Sequence, residues 1–533
     1  METELKLLIA PADVAPFRRL ALLKQLATAK PATRLLHNTY FDTPELLLQQ
    51  HGLQLRVRRV GRVAIQTLKT AGQAAEAGLH QRQEWEARVA GLQPELESLI
   101  EGVEAGSAWQ KLLCAPGLAQ RLVPIFGSEV RRTLWNLRLA QGVEVELALD
   151  QGALKHGDKY EPISEVELEL KAGEPAALFD LALQLQEQVP LRVGNLSKAA
   201  RGYALLAPAA ANDVAAGVVA DVVEVVAAGV AAGAVAVKAA PVVLNRDMSV
   251  EAGFRVIVSN CLQQMQDNEA GVAHGTGPEC IHQMRVGMRR LRSALRLFAP
   301  WVVLPPALQQ ELCWLGGELG AARDADVLAD DTLPKVIEAC PQEAGLLALR
   351  ELASTVARHQ RQRAAEAVAS VRHARLVLGL VGWLQASRWR ESLDEAATAA
   401  LAEPLRKRAS QMLARRHQKL IKSGKRLAHA TPDERHRVRI AAKKARYATE
   451  FFRSLHPAGR VKRYLQQLAA LQESLGWLND ATVADRLLQE IGLSHPALAG
   501  GAAFTRGHLG ATTRQDLPGL RKLWKHLRAM TPP

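Results

Sequence analysis

The N-terminal stretch Met1-Glu2-Thr3-Glu4-Leu5-Lys6-Leu7 decides the fold of the first half of the chain. Side chains alternate between the two faces of a β-strand, so this stretch presents charges on one face and mainly apolar residues on the other. Some later stretches repeat the alternation with acidic faces and others with basic faces. We therefore expect a sheet whose charged faces converge on a ligand that carries both positive and negative charge. A divalent metal ion bound to a polyanionic phosphate is the simplest such ligand. The repeated alternation lies at Gln54, Arg56 and Arg58, at Glu84 and Glu86, at Glu144 and Glu146, and at Glu165, Glu167, Glu169 and Lys171.

The positive charge of this 533-residue chain is unevenly distributed. Residues 1–206 contain 24 basic and 24 acidic side chains, residues 207–244 have a net charge of −2, and residues 245–533 have a net charge of +16. A strongly basic domain tends to bind polyanions. We therefore predict a charge-balanced domain at 1–206, an Ala/Val/Gly-rich linker at 207–244 and a basic domain at 245–533.

Cysteine usage and hydropathy indicate a cytoplasmic protein. The five cysteines are scattered and form no CxxC pair, which is typical of reduced packing residues. We expect no signal peptide, because the first strand begins at Met1. Asp221 and Glu224 interrupt the apolar run 214–237, and the uncharged part is too short for a membrane span. We expect no membrane partner.

In the first half, leucines and valines lie on the strand face opposite the charges. If the sheet closes, the charged residues line the bore and the apolar residues lie outside, beneath helices, which inverts the arrangement of a small packed barrel. Helices are expected near 11–30, 93–101, 109–121 and 175–188, and a hairpin at 53–59 and 63–70. The predicted fold is an antiparallel β tunnel with outer helices.

From about residue 245 the pattern is helical and contains an internal repeat. A basic stripe that starts at His282 recurs 154 positions later at His436, and the Leu319-Gly320 motif recurs at Leu475-Gly476. The shared offsets 0, 3, 7 and 10 lie on one helix face, so we predict two repeats, about 245–395 and 396–533, whose stripes could face each other across a groove. The basic segment 406–426 could join this surface or be a solvated helix face. The stripe residues, which we predict to bind a polyanion, are His282, Arg285, Arg289, Arg290, Arg292, His436, Arg439, Lys443, Lys444 and Arg446.

Several motifs occur together in a fixed order. They are Glu2-x-Glu4-x-Lys6, Tyr40-Phe41-Asp42-Thr43, Arg56-x-Arg58, Lys69, Arg82-x-Glu84-x-Glu86, Glu144-x-Glu146 with Asp150, Glu165-x-Glu167-x-Glu169, and Lys198. In these motifs residues 1–205 resemble the CYTH superfamily, the triphosphate tunnel metalloenzymes. The second half is similar to the CHAD domain, with His282 and His436 at the matching positions. The resemblance implies an α+β multidomain protein with an eight-stranded tunnel, a metal-dependent hydrolase acting on tripolyphosphate, and a polyphosphate-binding helical domain.

Electrostatics suggests how the charged residues divide their roles. Tripolyphosphate is repelled by carboxylates unless cations intervene, so we assign the acids to Mg²⁺ or Mn²⁺ and the bases to phosphate. The predicted metal ligands, some acting through water, are Glu2, Glu4, Glu144, Glu146, Asp150, Glu165, Glu167 and Glu169. The predicted phosphate-binding residues are Lys6, Arg56, Arg58, Lys69, Arg82, Arg132, Lys171 and Lys198, of which Arg132 and Lys171 could equally be structural. Glu4, Lys6, Arg56, Arg58 and Lys69 are the catalytic candidates.

The leading hypothesis is an inorganic triphosphatase that cleaves tripolyphosphate to pyrophosphate and phosphate, joined to a domain that binds inorganic polyphosphate. The alternatives are a hydrolase of thiamine triphosphate or a nucleoside triphosphate, an adenylate cyclase, and a non-catalytic polyphosphate- or nucleic-acid-binding adaptor. We do not expect nucleic acid as the partner. The helical domain either feeds substrate to the tunnel or anchors the protein at polyphosphate granules.

Overall fold

The computed structural model describes residues 2–70, 77–206, 235–275, 277–427, 430–515 and 517–533. Its contacts divide the chain into two compact units, one of residues 1–234 with 369–387, the other of residues 235–368 with 388–533. Most of the predicted linker, residues 207–234, lies outside the described residues. The rest of it, 235–244, has no regular secondary structure.

The first unit contains one antiparallel sheet with the strand order β10-β1-β9-β8-β7-β2-β3-β4-β6, and β5 pairs separately with β1. Eight strands were expected, and the described sheet has ten because the short strands β5 and β10 were not foreseen. The hairpin at 53–70 is confirmed. The strands are β1 (Glu2–Ile9), β2 (Ala32–Asp42), β3 (Leu53–Val60), β4 (Val63–Thr70), β5 (Leu79–Arg82), β6 (Glu84–Val89), β7 (Val123–Arg138), β8 (Glu144–His156), β9 (Lys159–Ala172) and β10 (Leu191–Val193).

The stretch around Gln83 closes the sheet into a tunnel. Only Gln83 separates β5 from β6, and yet β5 pairs with β1 while β6 pairs with β4, near the opposite end of the strand order. The backbone N–H of Thr70 in β4 donates to the carbonyl oxygen of Gln83 at 3.1 Å. A single bent stretch therefore connects the two ends of the sheet.

The apolar faces of the strands lie outside the tunnel, as predicted. Leu5, Leu55 and Leu68 are fully buried, and the cluster that contains Leu55 and Leu68 also includes Leu48 and Leu113 from the outer helices. Where one helix was expected over 11–30, two short ones form, and a further helix follows Ser197. The helices are α1 (Val14–Arg18), α2 (Ala21–Leu26), α3 (Leu47–Gln50), α4 (Glu97–Ile100), α5 (Ala108–Leu113), α6 (Leu118–Arg121), α7 (Ala176–Gln186) and α8 (Lys198–Ala204).

The second half of the chain is helical, as predicted. A π-helical turn, Val327–Thr332, connects α12 and α13. The helices are α9 (Val250–Gln266), α10 (Glu269–Ala273), α11 (Pro278–Leu297), α12 (Pro306–Asp326), α13 (Leu333–Ala339), α14 (Leu346–Ala369), α15 (Val371–Gln385), α16 (Glu395–Ala402), α17 (Leu405–Ser423), α18 (Pro432–Phe451), α19 (Ala458–Ser494), α20 (Ala499–Gln515) and α21 (Leu517–Arg528).

The internal repeat is visible in matching helices. The basic stripes lie on α11 and α18, which are both 20 residues long, and the two Leu-Gly motifs lie on the helices that follow them, α12 and α19. Among the described helices, none by itself has the length and apolar composition of a membrane span. Only α14 and α15 meet that test, taken together, and they are bent by 55° at their junction.

Helix α15 belongs to the tunnel unit although it lies far along the chain. It packs against α7 and β10. The backbone carbonyl of Val371 accepts a hydrogen bond from Gln186 Nε2 at 3.4 Å. A Cβ added at Gly382 would lie 2.9 Å from Cβ of Phe179 in α7, so the backbone of α15 lies directly against that helix.

Candidate functional site

The tunnel encloses a cavity of about 250 Å³ that is lined almost entirely by polar and charged side chains. The structure brings together most of the residues predicted for the site, although they come from seven strands and α8. The predicted residues that line the cavity are Glu2, Glu4, Lys6, Arg56, Arg58, Lys69, Arg82, Arg132, Glu146, Glu167, Glu169, Lys171 and Lys198.

The strand register arranges the acidic residues in a row. Glu4 in β1 lies opposite Glu169 in β9, which in turn lies opposite Glu146 in β8. Directly opposed residues share a face and lie about 5 Å apart, so three carboxylates cross three neighbouring strands side by side. The next inward-facing pair, Lys6 and Glu167, has opposite charges.

One side of the cavity has excess negative charge. Burial raises the pKa of Glu169, and the nearby carboxylates of Glu2 and Glu146 raise it further, although Lys171 donates to it at 2.6 Å. No basic group of the described chain lies within 4.0 Å of the Glu146 carboxylate. We call Glu2, Glu4, Glu146 and Glu169 the acidic side of the cavity.

Another side of the cavity has excess positive charge. Burial lowers the pKa of Arg58 to about 9, and the guanidinium groups of Arg56 and Arg132 lower it as well. Arg58 Nε donates to Oδ1 of Asn38 at 2.9 Å, whereas Nε of Arg56 is buried without a hydrogen-bond partner. We call Arg56, Arg58 and Arg132 the basic side. Arg132 is itself paired with Asp150 and Glu167, so an oxyanion would relieve mainly the repulsion between Arg56 and Arg58.

Ion pairs connect strands that are far apart in the sequence. Lys69 Nζ lies 2.6 Å from Oε2 of Glu2 and 3.0 Å from Oε1 of Glu84. Arg82 Nη2 lies 3.0 Å from Oε1 of Glu4. The Lys69–Glu2 contact joins β4 to β1 and so crosses the seam that β5 and β6 close, whereas the other two join strands that already pair. The first contact therefore both aligns the site and stabilises the closed sheet.

A buried ionic network lies next to the cavity and is centred on Lys198 of α8. Its ammonium group contacts carboxylate oxygens of Glu165, of Asp150 (2.7 Å) and of Glu167 (2.9 Å). Oxygens of these three acids lie within 4.8 Å of one another, a spacing that could hold a metal ion. The Lys198 ammonium already contacts all three of them, and Lys6 Nζ adds contacts to Glu165 (3.2 Å) and Glu167 (2.9 Å).

Two arginines complete this network. Arg132 donates to both carboxylate oxygens of Asp150, at 2.8 and 2.6 Å. Arg201 donates to Glu161 at 2.5 Å and to Glu165 at 3.0 Å. Sequence reasoning missed Arg201, although its three-residue spacing from Lys198 places both on one face of a helix.

Some predicted residues lie elsewhere. Glu144 is exposed and pairs with Arg138 at 2.9 Å, because a register shift between Glu144 and Val145 removes it from the inward-facing row. Asp150 and Glu165 are fully buried in the network and do not line the cavity. The lining also includes residues absent from our predicted set, namely Tyr40, Gln54, Thr67, Glu84, Glu86, Ala148, Ser197 and Ala199. Strand alternation alone could have assigned Gln54, Glu84 and Glu86.

In the helical unit, basic residues of the two repeats face each other. Arg285 on α11 lies 3.8 Å from Asp324, and its repeat counterpart Arg439 on α18 lies 3.9 Å from Asp480. Burial lowers the pKa of Lys443 to about 7, and the charges of Arg439, Arg289 and Arg285 lower it further. Charges from both stripes therefore act on one another. We call Arg285, Arg289, Arg439 and Lys443 the groove.

The histidines and the other repeat positions lie around this groove. His436 Nδ1 is 2.9 Å from Oδ1 of Asn479, and burial with the nearby charge of Arg323 lowers the pKa of His282. Nε of Arg289 and Nε of Arg439 are buried without hydrogen-bond partners.

The remaining stripe positions differ from the prediction of one shared basic face. Arg290 is buried, donates to Gln264 and Asn260, and therefore does not join the groove. Arg292 donates to the backbone carbonyl of Leu312, and Arg446 donates to Glu450. Lys444 faces a separate set of basic residues.

The fold and the two sites define a class of protein in which a charged antiparallel tunnel accompanies a duplicated basic helical unit. Each half of the chain matches a known domain family. Residues 1–203 match the CYTH domain family and residues 256–489 match the CHAD domain family. The chain belongs to the CHAD family and carries a CYTH domain at its N-terminal end.

Individual relatives cover the two halves separately. The chain is 31% identical over 204 residues to an inorganic triphosphatase from Haemophilus influenzae, covering 38% of this chain and 54%, about half, of that protein. It is 39% identical to the crystal structure of the CHAD domain from the plant Ricinus communis, with a TM-score of 0.51, over 56% of this chain and 98% of the plant domain. It is 21% identical to a Hippeastrum protein described as a putative adenylyl cyclase with a dominant triphosphatase activity, with a TM-score of 0.29, over 38% of this chain and 95% of that one.

Proposed function

We propose that the tunnel unit is a divalent-metal-dependent triphosphatase that hydrolyses tripolyphosphate to pyrophosphate and phosphate. The observation that carries the proposal is the polarised cavity, with the acidic side next to the basic side in about 250 Å³. A triphosphate that binds together with a metal cation needs acidic groups for the cation and basic groups for the phosphates within one cavity. The name of the Haemophilus influenzae relative, an inorganic triphosphatase, supports the same substrate class.

The composition of the lining favours an inorganic substrate over a nucleotide. Apart from Tyr40 and two alanines, Ala148 and Ala199, the cavity wall offers polar and charged groups only. Nucleobases and other organic groups are held mainly by apolar and aromatic surfaces, which this wall scarcely provides.

The acidic side fits a hard divalent cation. Carboxylate oxygens are the ligands that Mg²⁺ and Mn²⁺ prefer, and the crowded carboxylates of Glu2, Glu146 and Glu169 would be relieved by a cation. We assign the metal to the acidic side, Glu2, Glu4, Glu146 and Glu169. A bound ion would polarise phosphoryl oxygens and lower the pKa of water. We assign Asp150 and Glu165 to the support of Lys198, Lys6 and Arg132, because both acids are fully buried, do not line the cavity and contact these cations directly.

The basic side would hold the phosphates. Arg56 and Arg58 can each give two parallel hydrogen bonds to phosphoryl oxygens. Lys6, Arg132 and Lys198 line the cavity while their ion pairs fix their positions, so they would present positive charge to the substrate without reorganisation.

We further propose that the helical unit binds inorganic polyphosphate in the groove. The groove contains four basic side chains and the two acids Asp324 and Asp480, which pair only loosely at 3.8 and 3.9 Å. A linear polyphosphate offers repeated charge without base-specific contacts, and its binding would be salt-dependent.

Phosphate release from tripolyphosphate by the full chain, with Mg²⁺ or Mn²⁺ and with EDTA, tests the enzymatic proposal. We expect release that requires the metal, with less from thiamine triphosphate or ATP and no cyclic AMP. Absence of metal-dependent release from tripolyphosphate would reject the proposal and favour the adaptor alternative. Competition of labelled polyphosphate with duplex DNA tests the groove, and preference for DNA would reverse that assignment.

A further inference from the structure

Four basic side chains form a cluster outside the groove. They are Arg296 at the end of α11, Arg416 and Lys419 on α17, and Lys444 on α18, and we call them the extension cluster. Arg416 Nη2 donates to the backbone carbonyl of Arg296 at 2.7 Å, which holds the end of α11 against α17. Within the described parts of the chain, none of the four has a carboxylate within 4.0 Å.

The charges in this cluster repel one another. Burial lowers the pKa of Lys444, and the charges that add to this effect are those of Arg296, Arg416 and Lys419. Burial also lowers the pKa of Arg416, and the charge that adds to it is that of Arg296. The extension cluster therefore lacks the partial neutralisation that Asp324 and Asp480 give to the groove.

The extension cluster continues the groove along α11. Arg285, Arg289 and Arg296 differ by 4 and 7 positions, so they lie on one face of the helix. The 11 residues from Arg285 to Arg296 correspond to about 16 Å at a rise of about 1.5 Å per residue. An extended polyanion seated in the groove could thus reach the cluster without leaving this face.

The internal duplication does not repeat the cluster. The counterpart of Arg296 in the second repeat is Glu450, which accepts a hydrogen bond from Arg446 at 2.7 Å. The counterpart of Lys444 is Arg290, which is buried and lies over the ring of Phe451 at 5.4 Å. The arrangement of Arg296 and Lys444 is therefore specific to one side of the duplication.

We propose that the extension cluster is a second binding site for linear polyphosphate, which continues the groove in one direction and makes affinity depend on chain length. The proposal rests on polyphosphate binding by the groove. A short chain would occupy the groove alone. A longer chain would also contact Lys419 and Lys444 and would release further counterions from itself.

The test uses the full-length protein and two size fractions of inorganic polyphosphate, one short enough for the groove alone and one much longer. The variant is Lys419→Gln/Lys444→Gln, and the control is Lys407→Gln/Lys462→Gln, which removes the same charge from exposed positions outside both sites. We expect the variant to bind the short fraction like the wild type and to bind the long fraction about tenfold more weakly. The salt dependence of long-chain binding should fall by about two ion equivalents. Circular dichroism and thermal melting verify the fold of each variant.

The possible results distinguish failure of the extension site from failure of polyphosphate binding by the groove. Wild-type affinity of the variant for the long fraction, equal losses for both fractions, or the same loss in the control would overturn the extension site while leaving the groove intact. If the wild type binds neither fraction, polyphosphate binding by the helical unit is itself wrong.

Discussion

Lys198 Nζ lies 2.7 Å from Oδ2 of Asp150, at the centre of three carboxylates whose spacing resembles that of a metal site. The Lys198 ammonium group therefore contacts the same three carboxylates that a metal ion would bind in this network. Lys198 and Ala199 of α8, and Ser197 just before the helix, line the cavity. The contact with Asp150 therefore both stabilises the tunnel and positions part of the cavity wall.

Lys198→Met should destabilise the tunnel unit by about 3 kcal/mol or more, because it leaves buried carboxylates without their shared cation. Urea unfolding at neutral pH measures the loss. Lys171→Met is the matched control, since Lys171 is also paired with a glutamate but its side chain is 44% exposed, and we expect a loss of about 1 kcal/mol or less. Equal effects of the two substitutions would contradict the role of Lys198.

The stability of the tunnel unit should fall in acid partly through Asp150. Burial alone would raise the pKa of Asp150, but Arg132 and Lys198 lower it below its usual value. Its stabilising contribution is therefore complete above the unfolded pKa of about 3.9 and is lost as the pH falls through the lower folded pKa. Asp150→Asn should be less stable at pH 7 and should lose less stability as the pH falls below about 4, and unfolding curves from pH 7 to pH 2 measure this. An unchanged pH dependence would exclude Asp150 as a source of the acid sensitivity.

Turnover and polyphosphate binding should be separable by mutation. Glu4→Gln removes a charge from the acidic side and weakens the contact with Arg82, so we expect loss of phosphate release with unchanged polyphosphate binding. Arg285→Ala/Arg439→Ala should have the opposite effect. Phosphate release and a binding assay on each variant provide the measurement, and loss of both activities in either variant would indicate misfolding or a shared site.

Gly320 provides space for a groove residue. A Cβ at Gly320 would lie 2.4 Å from Nη1 of Arg285, whereas a Cβ at the repeat counterpart Gly476 would meet nothing within 4 Å. Gly320→Ala should displace the guanidinium group and weaken polyphosphate binding by about 1 kcal/mol, roughly fivefold, without unfolding the helix. Gly476→Ala should bind like the wild type in the same assay. Indistinguishable affinities of the two variants would exclude Arg285 as a direct ligand.

Helix α15 should stabilise the tunnel unit. Gly382→Val would press on Phe179 and should cost about 1–3 kcal/mol through overpacking. Arg375→Ala, at an exposed position of the same helix, should have little effect. Hydrogen exchange of β10 and β1 locates the change, and the packing is wrong if only distant helices respond to Gly382→Val.

Patterns that depend on local backbone geometry were readable from the sequence. A strand repeats every two residues, so Glu2, Glu4 and Lys6 had to share a face, and the apolar outer layer followed from the same alternation. A helix repeats every 3.6 residues, so the offsets shared by the stripes of His282 and His436 predicted two matched basic helices. The alternation placed Glu144 inside the tunnel, and this was wrong. A register shift between two strands cannot be seen in the alternation of a single strand.

Contacts between distant segments were decided by the tertiary structure alone. Lys6 meets Glu165 across 159 residues, and Lys198 joins them from a helix whose docking no local pattern specifies. Arg290 and Lys444 occupy the same repeat position, and yet one is buried against α9 while the other faces three basic side chains. The sequence determined which charges are available and on which face of each element they lie. Packing determined which of them neutralise one another and which have no carboxylate nearby, because that balance depends on distances between segments that only the folded chain brings together.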